Sequence, residues 1–140
     1  MHRIFDRPID VAALEASVRA ERCGGVVTFL GIVRDRADDG RPVMGLEYQA
    51  HAAMALAEFA AIEAEARHRF GDIEMAIAHR VGSLDVGEVA VAVAVAAPHR
   101  GEAFDACEYA IDELKRRAPI WKKELYAGGG GEWKANACRE

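Results

Sequence analysis

The chain is short of the features that mark several functional classes. It has three cysteines, Cys23, Cys107 and Cys138, widely spaced and without a Cys-x-x-Cys pair. That pattern excludes a disulfide framework and a thiolate zinc site, and it fits reduced thiols in a cytoplasmic protein. The five histidines show no ligand spacing, so no metal is expected. Basic residues are outnumbered, 18 against 23 acidic, and the formal net charge of -5 argues against bulk attraction to nucleic acid. Any anion site must therefore be local. No apolar run is long enough to span a bilayer, and Met1 to Asp10 carries no apolar signal core. A glycine-rich phosphate loop and a regular β-α alternation are also missing, which disfavours a doubly wound fold.

What remains is a composition 51% hydrophobic and 29% charged over 140 residues, enough for one domain, 1–140, around a single core. Asp10 is placed to cap a helix over about Val11 to Arg22, ended by Gly24 and Gly25. Val26 to Val33 and Val43 to Gln49 read as strands joined by a polar turn, hence as a long-looped hairpin. Ala55, Phe59, Ile62 and Ala66 form the stripe of a helix from about Ala52 to Phe70, closed by Gly71. Ile73 to Arg80 alternates as a strand. Val89 to Ala97 alternates more strictly, valine on one face and alanine on the other, so that a helix can pack closely over the small side. A third helix follows Pro98-His99-Arg100 and carries Phe104, Cys107, Ile111 and Leu114 on its stripe. The glycines at 128–131 read as a flexible run, and nothing after them has a core pattern. The order α-β-β-α-β-β-α predicts an α+β domain, with helices packed on one face of a largely antiparallel sheet.

The chemistry concentrates between Lys115 and Glu124, where five cations, a proline and an indole follow the third helix. Lys115 lies four residues after Ile111, at the end of the apolar stripe, where partial desolvation and cationic neighbours favour the neutral amine. Pro119 stops the helix and drives Ala118 extended, setting Lys122 near Lys115 across a rigid corner. Arg116, Arg117 and Lys123 are explained as solvated charge suited to a helix C-terminus. Arg34, His99 and Arg100 stand at strand ends, the last two just ahead of a helix N-terminus, and together they suggest a pocket for a phosphorylated small molecule. Such a set serves either a catalyst or a binding module that uses the cations for recognition alone. His79 and Cys107 read as core residues.

Five segments, Gly25-Val-Val-Thr-Phe-Leu-Gly-Ile-Val-Arg34, Leu46 to Ala55, His79-Arg-Val-Gly82, Pro98 to Phe104 and Leu114-Lys-Arg-Arg-Ala-Pro-Ile-Trp-Lys-Lys-Glu124, occur in an order that resembles the family of large, catalytic subunits of molybdopterin synthase. The resemblance runs from about Gly24 to Trp133. It implies an α/β-hammerhead fold and a homodimer of large subunits within a heterotetramer. The partner it implies is a small ubiquitin-like sulfur carrier whose C-terminal Gly-Gly thiocarboxylate enters the active site, and the substrate is cyclic pyranopterin monophosphate. Carried over by motif, Lys115 and Lys122 resemble the catalytic lysines, Arg34, His99 and Arg100 the substrate-anchoring groups, and Glu124 a supporting acid. No cofactor is implied. The sulfur would arrive on the partner, leaving the cysteines of this chain incidental.

Overall fold

The computed structural model describes residues 1–136. Its elements in chain order are β1 (His2–Phe5), α1 (Val11–Val18), β2 (Gly25–Ile32), β3 (Val43–Ala50), α2 (Ala52–Phe70), β4 (Glu74–Arg80), β5 (Gly82–Asp85), β6 (Val89–Ala97), α3 (Arg100–Arg117), β7 (Ile120–Tyr126) and β8 (Trp133–Ala135). The class is α+β, as expected, but the strands divide into two four-stranded sheets, ordered β1-β4-β6-β2 and β5-β3-β7-β8. All pairings are antiparallel except β1 with β4.

This division overturns the expected hairpin. β2 pairs with β6, whereas β3 pairs with β5 and β7, so the segment between β2 and β3 crosses from one sheet to the other. Helices also cover both faces of the first sheet rather than one. The strict alternation of β6 accounts for that. Ala92, Ala94 and Ala96, with Ala76 and Ala78 of β4, form a flat face on which Leu14 and Val18 of α1 are buried. Val91, Val93 and Val95 point the other way, into the main core with Phe59 and Ile62 of α2 and Leu114 of α3. Each valine fully buried there contributes roughly 1.5–3 kcal/mol of transfer free energy.

Local signals set most helix ends. The Asp10 side chain accepts from the Ala13 N–H at 3.0 Å and caps α1. That helix ends at Val18, a turn earlier than the sequence suggests, because Arg19 is already extended. His51 caps α2 through Nδ1, which accepts from the Met54 N–H at 3.2 Å, and Gly71 closes that helix at φ 90°. Ala118 is extended ahead of Pro119, as the proline requires. The His51 N–H donates to the Pro119 carbonyl at 3.1 Å, tying the start of α2 to the corner that launches β7.

Three short strands escaped the sequence reading, among them β5, which pairs with β3. β1 is a four-residue edge strand. β8 is three residues, all exposed, folded back on β7 by the glycines of 128–131. Gly129 and Gly130 take φ of 85° and 83°, which suits glycine, and a Cβ on Gly131 would collide with the Glu124 carbonyl.

Candidate active site

The second sheet carries the site. Strand alternation puts Lys122 and Glu124 of β7 on the same face. Lys122 stands opposite Tyr48 of β3 on one side and Lys134 of β8 on the other. Glu124 stands opposite Leu46 and is itself buried. In front of them opens a cleft of about 620 Å³, lined by Asp38, Asp39, Lys122, Glu124, Tyr126 and Lys134.

Burial holds the Lys122 amine below the ordinary lysine value; Lys134 and Arg34 add to that effect, while Glu124 and Asp38 oppose it. Lys122 is half-buried, because β3 and β8 flank it on both sides. Among the described residues none is hydrogen-bonded or ion-paired to its Nζ. Glu124 is instead engaged by Lys134 through Oε1. Arg34 reaches the same neighbourhood from the segment after β2. Its guanidinium donates to Asp38 at 2.8 Å, with Glu124 among the charges acting on it. The Arg34–Asp38 pair is well exposed, so it contributes little to stability and can yield to an incoming anion.

Lys115 occupies the last turn of α3. Its charge acts on His79, whose imidazole is fully buried. Burial pushes His79 down to about 4, and the Lys115 charge adds to that, so the ring is neutral near pH 7. His79 Nδ1 lies 2.8 Å from the Arg80 carbonyl, and its Nε2 has no partner among the described residues, so this core histidine is only half satisfied there. The His79 ring meets Tyr48 edge-on at 5.0 Å. The phenol of Tyr48 is pushed up to about 12 by burial, with a smaller push from Glu124. Lys115 thus acts electrostatically on His79, whose ring packs on Tyr48, the register partner of Lys122.

His99 and Arg100 lie elsewhere in the chain. They begin α3, and Lys115 is fifteen residues on, about 22 Å along the helix axis. Arg100 packs against Gly25 at the start of β2, the opposite end of that strand from Arg34. A single chain therefore does not bring together the three cations expected to form one anion pocket. His99 occupies the N-cap position of α3, but its side chain makes no capping hydrogen bond. Both side chains are exposed.

Sequence reasoning missed Asp38, Tyr48 and Lys134. Asp38 lies in what reads as an ordinary polar turn, and Lys134 in a tail with no pattern. The β3–β7–β8 register reveals Tyr48 and Lys134, and the fold of the segment between β2 and β3 reveals Asp38. Ile120 and Trp121 are not among the residues that line the cleft. Trp121 faces the other side of the sheet and is exposed, and Ile120 is buried in the core. Among the described residues no cluster of three or more potential metal ligands occurs, and no helix is long and apolar enough to cross a membrane.

Residues 4–117 match the family model described as MoaE protein. The chain belongs to that family. Curated relatives named molybdopterin synthase catalytic subunit include one from Nostoc sp., 44% identical over 95% of this chain and 81% of the relative. Another, from Culex quinquefasciatus, is 44% identical over 94% of this chain and 85% of its own length. Among solved structures, molybdopterin synthase from Staphylococcus aureus superposes with a TM-score of 0.89 at 37% identity, covering 94% of each chain. A complex of subunits 1 and 2 of the molybdopterin-converting factor from Helicobacter pylori shares the fold, with a TM-score of 0.76 at 23% identity.

Proposed function

We infer that this member of the MoaE family is the catalytic subunit of a molybdopterin synthase. It is an enzyme. It transfers sulfur from the C-terminal thiocarboxylate of a small ubiquitin-like carrier to cyclic pyranopterin monophosphate, in two rounds, to build the molybdopterin dithiolene. The observation that carries the mechanism is Lys122, half-buried in a cleft with no ion-pair partner among the described residues, beside a buried carboxylate that is already engaged. Each transfer makes a carbon–sulfur bond to the substrate as a carbon–oxygen bond there is lost, and breaks the carrier's acyl–sulfur bond by hydrolysis, which returns the carrier as a carboxylate; both changes need protons moved at fixed positions. A lysine whose pKa burial has lowered suits that work, because general acid–base catalysis is most effective when the group titrates near the working pH. Lys115 shares the task from the end of α3, Glu124 supports Lys122, and Arg34 holds the substrate's phosphate.

His99 and Arg100 enter the same pocket from a second copy of the chain, since about 22 Å of α3 separates them from Lys115 in their own. The exposed apolar residues Val26, Phe29 and Ile32 on the edge strand β2, with Phe104 on α3, offer the surface for that second copy. The reaction takes place in a heterotetramer of two such chains and two carriers.

Purified protein mixed with cyclic pyranopterin monophosphate and a thiocarboxylated carrier should yield the dithiolene. In mixed dimers, a subunit lacking Lys115 and one lacking Arg100 should together restore one working site. Phosphate binding with no dithiolene would instead indicate a recognition module, and failure of the mixed dimers to complement would place all the residues of a site in one chain.

A further inference from the structure

The cleft contains a third lysine outside the Lys115–Glu124 segment. Lys134 stands on β8 at the register position facing Lys122 across the β7–β8 ladder. Its Nζ is ion-paired with Glu124 Oε1; the Glu124 side chain is 10% exposed and that of Lys134 50%. A carboxylate so buried requires a charged or hydrogen-bonding partner. Two lysines are within its neighbourhood: Lys122, two residues away on the same face of its own strand, and Lys134 on the adjacent strand. Glu124 takes Lys134, and Lys122 is left without an ion pair among the described residues. The tight glycine turn makes this choice possible, because it folds β8 back until Gly131 lies against the Glu124 carbonyl.

We propose that Lys134 is a positioning residue for the sulfur-transfer reaction: by holding the Glu124 carboxylate, it keeps the Lys122 amine unpaired in the cleft and free to move a proton. The proposal rests on the function inferred above. The groups facing Lys122 are Glu124 on its own strand, Lys134 on β8, Tyr48 on β3, and Arg34 and Asp38 from the segment after β2. Arg34 is occupied by Asp38. With Lys134 removed, Lys122, Arg34 and Arg41 are the cations left to act on Glu124, and Lys122 shares its strand face. The change both adds a freed opposite charge beside Lys122 and takes away a like one, and both effects bind the Lys122 proton more tightly. Lys122 then titrates further from the working pH, and the loss falls on turnover rather than on substrate binding.

The test compares the assembled wild-type enzyme with K134A, K134R, E124Q and the E124Q/K134A double variant. Lysines are labelled by reductive ¹³C-methylation, and the Lys122 signal is assigned by its loss in K122R. In K134A the Lys122 titration should move to higher pH, and kcat for dithiolene formation should fall roughly ten- to hundredfold, as expected for a misplaced catalytic group, with KM little changed. K134R should restore both. In the E124Q background, K134A should move the Lys122 titration far less, because the carboxylate through which Lys134 acts is gone. An unmoved Lys122 titration in K134A would overturn the proposal. So would a loss confined to KM, which marks Lys134 as an anion contact, or a K134R variant as impaired as K134A. If the wild-type assembly forms no dithiolene, the inferred function fails, whereas the titration comparison still decides what Lys134 does to Lys122.

Discussion

The first sheet, β1-β4-β6-β2, has α1 over its alanine face and α2 and α3 against its valine face, and its central strands are buried except at end residues. The second, β5-β3-β7-β8, sends Leu46, Tyr48 and Ile120 inward but leaves Gln49, Trp121 and Trp133 exposed on its outer side. It buries a glutamate and half-buries a lysine in strand β7, where the first sheet places only valine and alanine in β6. Apolar interdigitation makes the first sheet a rigid base, and the second holds charges in positions that stability alone would not select. His79 sits where the two meet, on β4 of the first sheet with its ring against Tyr48 of the second.

The sharpest way to separate the sheets is to remove a charge from the end of α3. Lys115→Ala should abolish dithiolene formation, a loss of about 10²- to 10⁴-fold for a group that transfers protons, while the denaturant midpoint and carrier binding stay close to wild type. Single-turnover product formation checks it. Activity near wild type would remove Lys115 from the mechanism.

His79 probes the junction through pH. Its folded pKa of about 4 lies below the ordinary 6.5, so the folded protein takes up this proton less readily than the unfolded chain. The associated stability is therefore complete above pH 6.5 and is lost as pH falls toward about 4. The interval corresponds to about 3 kcal/mol by linkage. His79→Leu should flatten the dependence of unfolding free energy on pH across that window, measured by urea titration at pH 7 and pH 4.5. Equal slopes for the two proteins would show that His79 charges freely in the folded state.

Overpacking tests the base alone. Ala94 is fully buried under α1, and Ala94→Leu should cost about 1–3 kcal/mol of stability. The fraction that remains folded should turn over at the wild-type rate, because the alanine face is remote from the cleft. A turnover defect at full folding would mean that strain in the first sheet reaches the second.

Elements with a strong local period were legible in the sequence. The stripe Ala55, Phe59, Ile62 and Ala66 and the capping Gly71 placed α2 at its observed bounds, and strict valine–alanine alternation did the same for β6. Pro119 gave the corner between α3 and β7. Strand partners were not legible. Alternation tells which side chains share a face, not which strand lies alongside, so β2 and β3 read as a hairpin although they belong to different sheets. The site divides in the same way. Lys115, Lys122 and Glu124 are close in sequence and could be read together. Asp38, Tyr48 and Lys134 join them only through the antiparallel register of β3, β7 and β8 and the fold of the preceding segment. The separation of His99 and Arg100 from Arg34 also needed the structure, since only the pairing of β2 with β6 shows that they lie at opposite ends of one strand.

The smallest effect is expected from removing every thiol. Cys107 lies in the main core with Sγ 3.6 Å from the Val93 carbonyl, and burial pushes its thiol up to about 11, so it is protonated and a poor nucleophile. Cys23 follows Arg22, a cation that could have stabilised a thiolate. That guanidinium is committed to Asp72 at 2.8 Å and Glu74 at 2.5 Å, which leaves it little free charge to offer. Cys138 lies outside the described residues. Neither described thiol lines the cleft where Lys122 stands. If sulfur reaches that cleft on a carrier's C-terminus, the triple variant Cys23→Ser/Cys107→Ser/Cys138→Ser should transfer it at a rate within about twofold of wild type. Its stability should fall by about 1 kcal/mol, from the polar serine placed at position 107. Dithiolene yield from a thiocarboxylated carrier, with near-UV circular dichroism to establish packing, decides the matter. A well-folded triple variant that makes no dithiolene would mean that sulfur passes through a thiol of this chain, and the cleft would then need a relay that its geometry does not suggest.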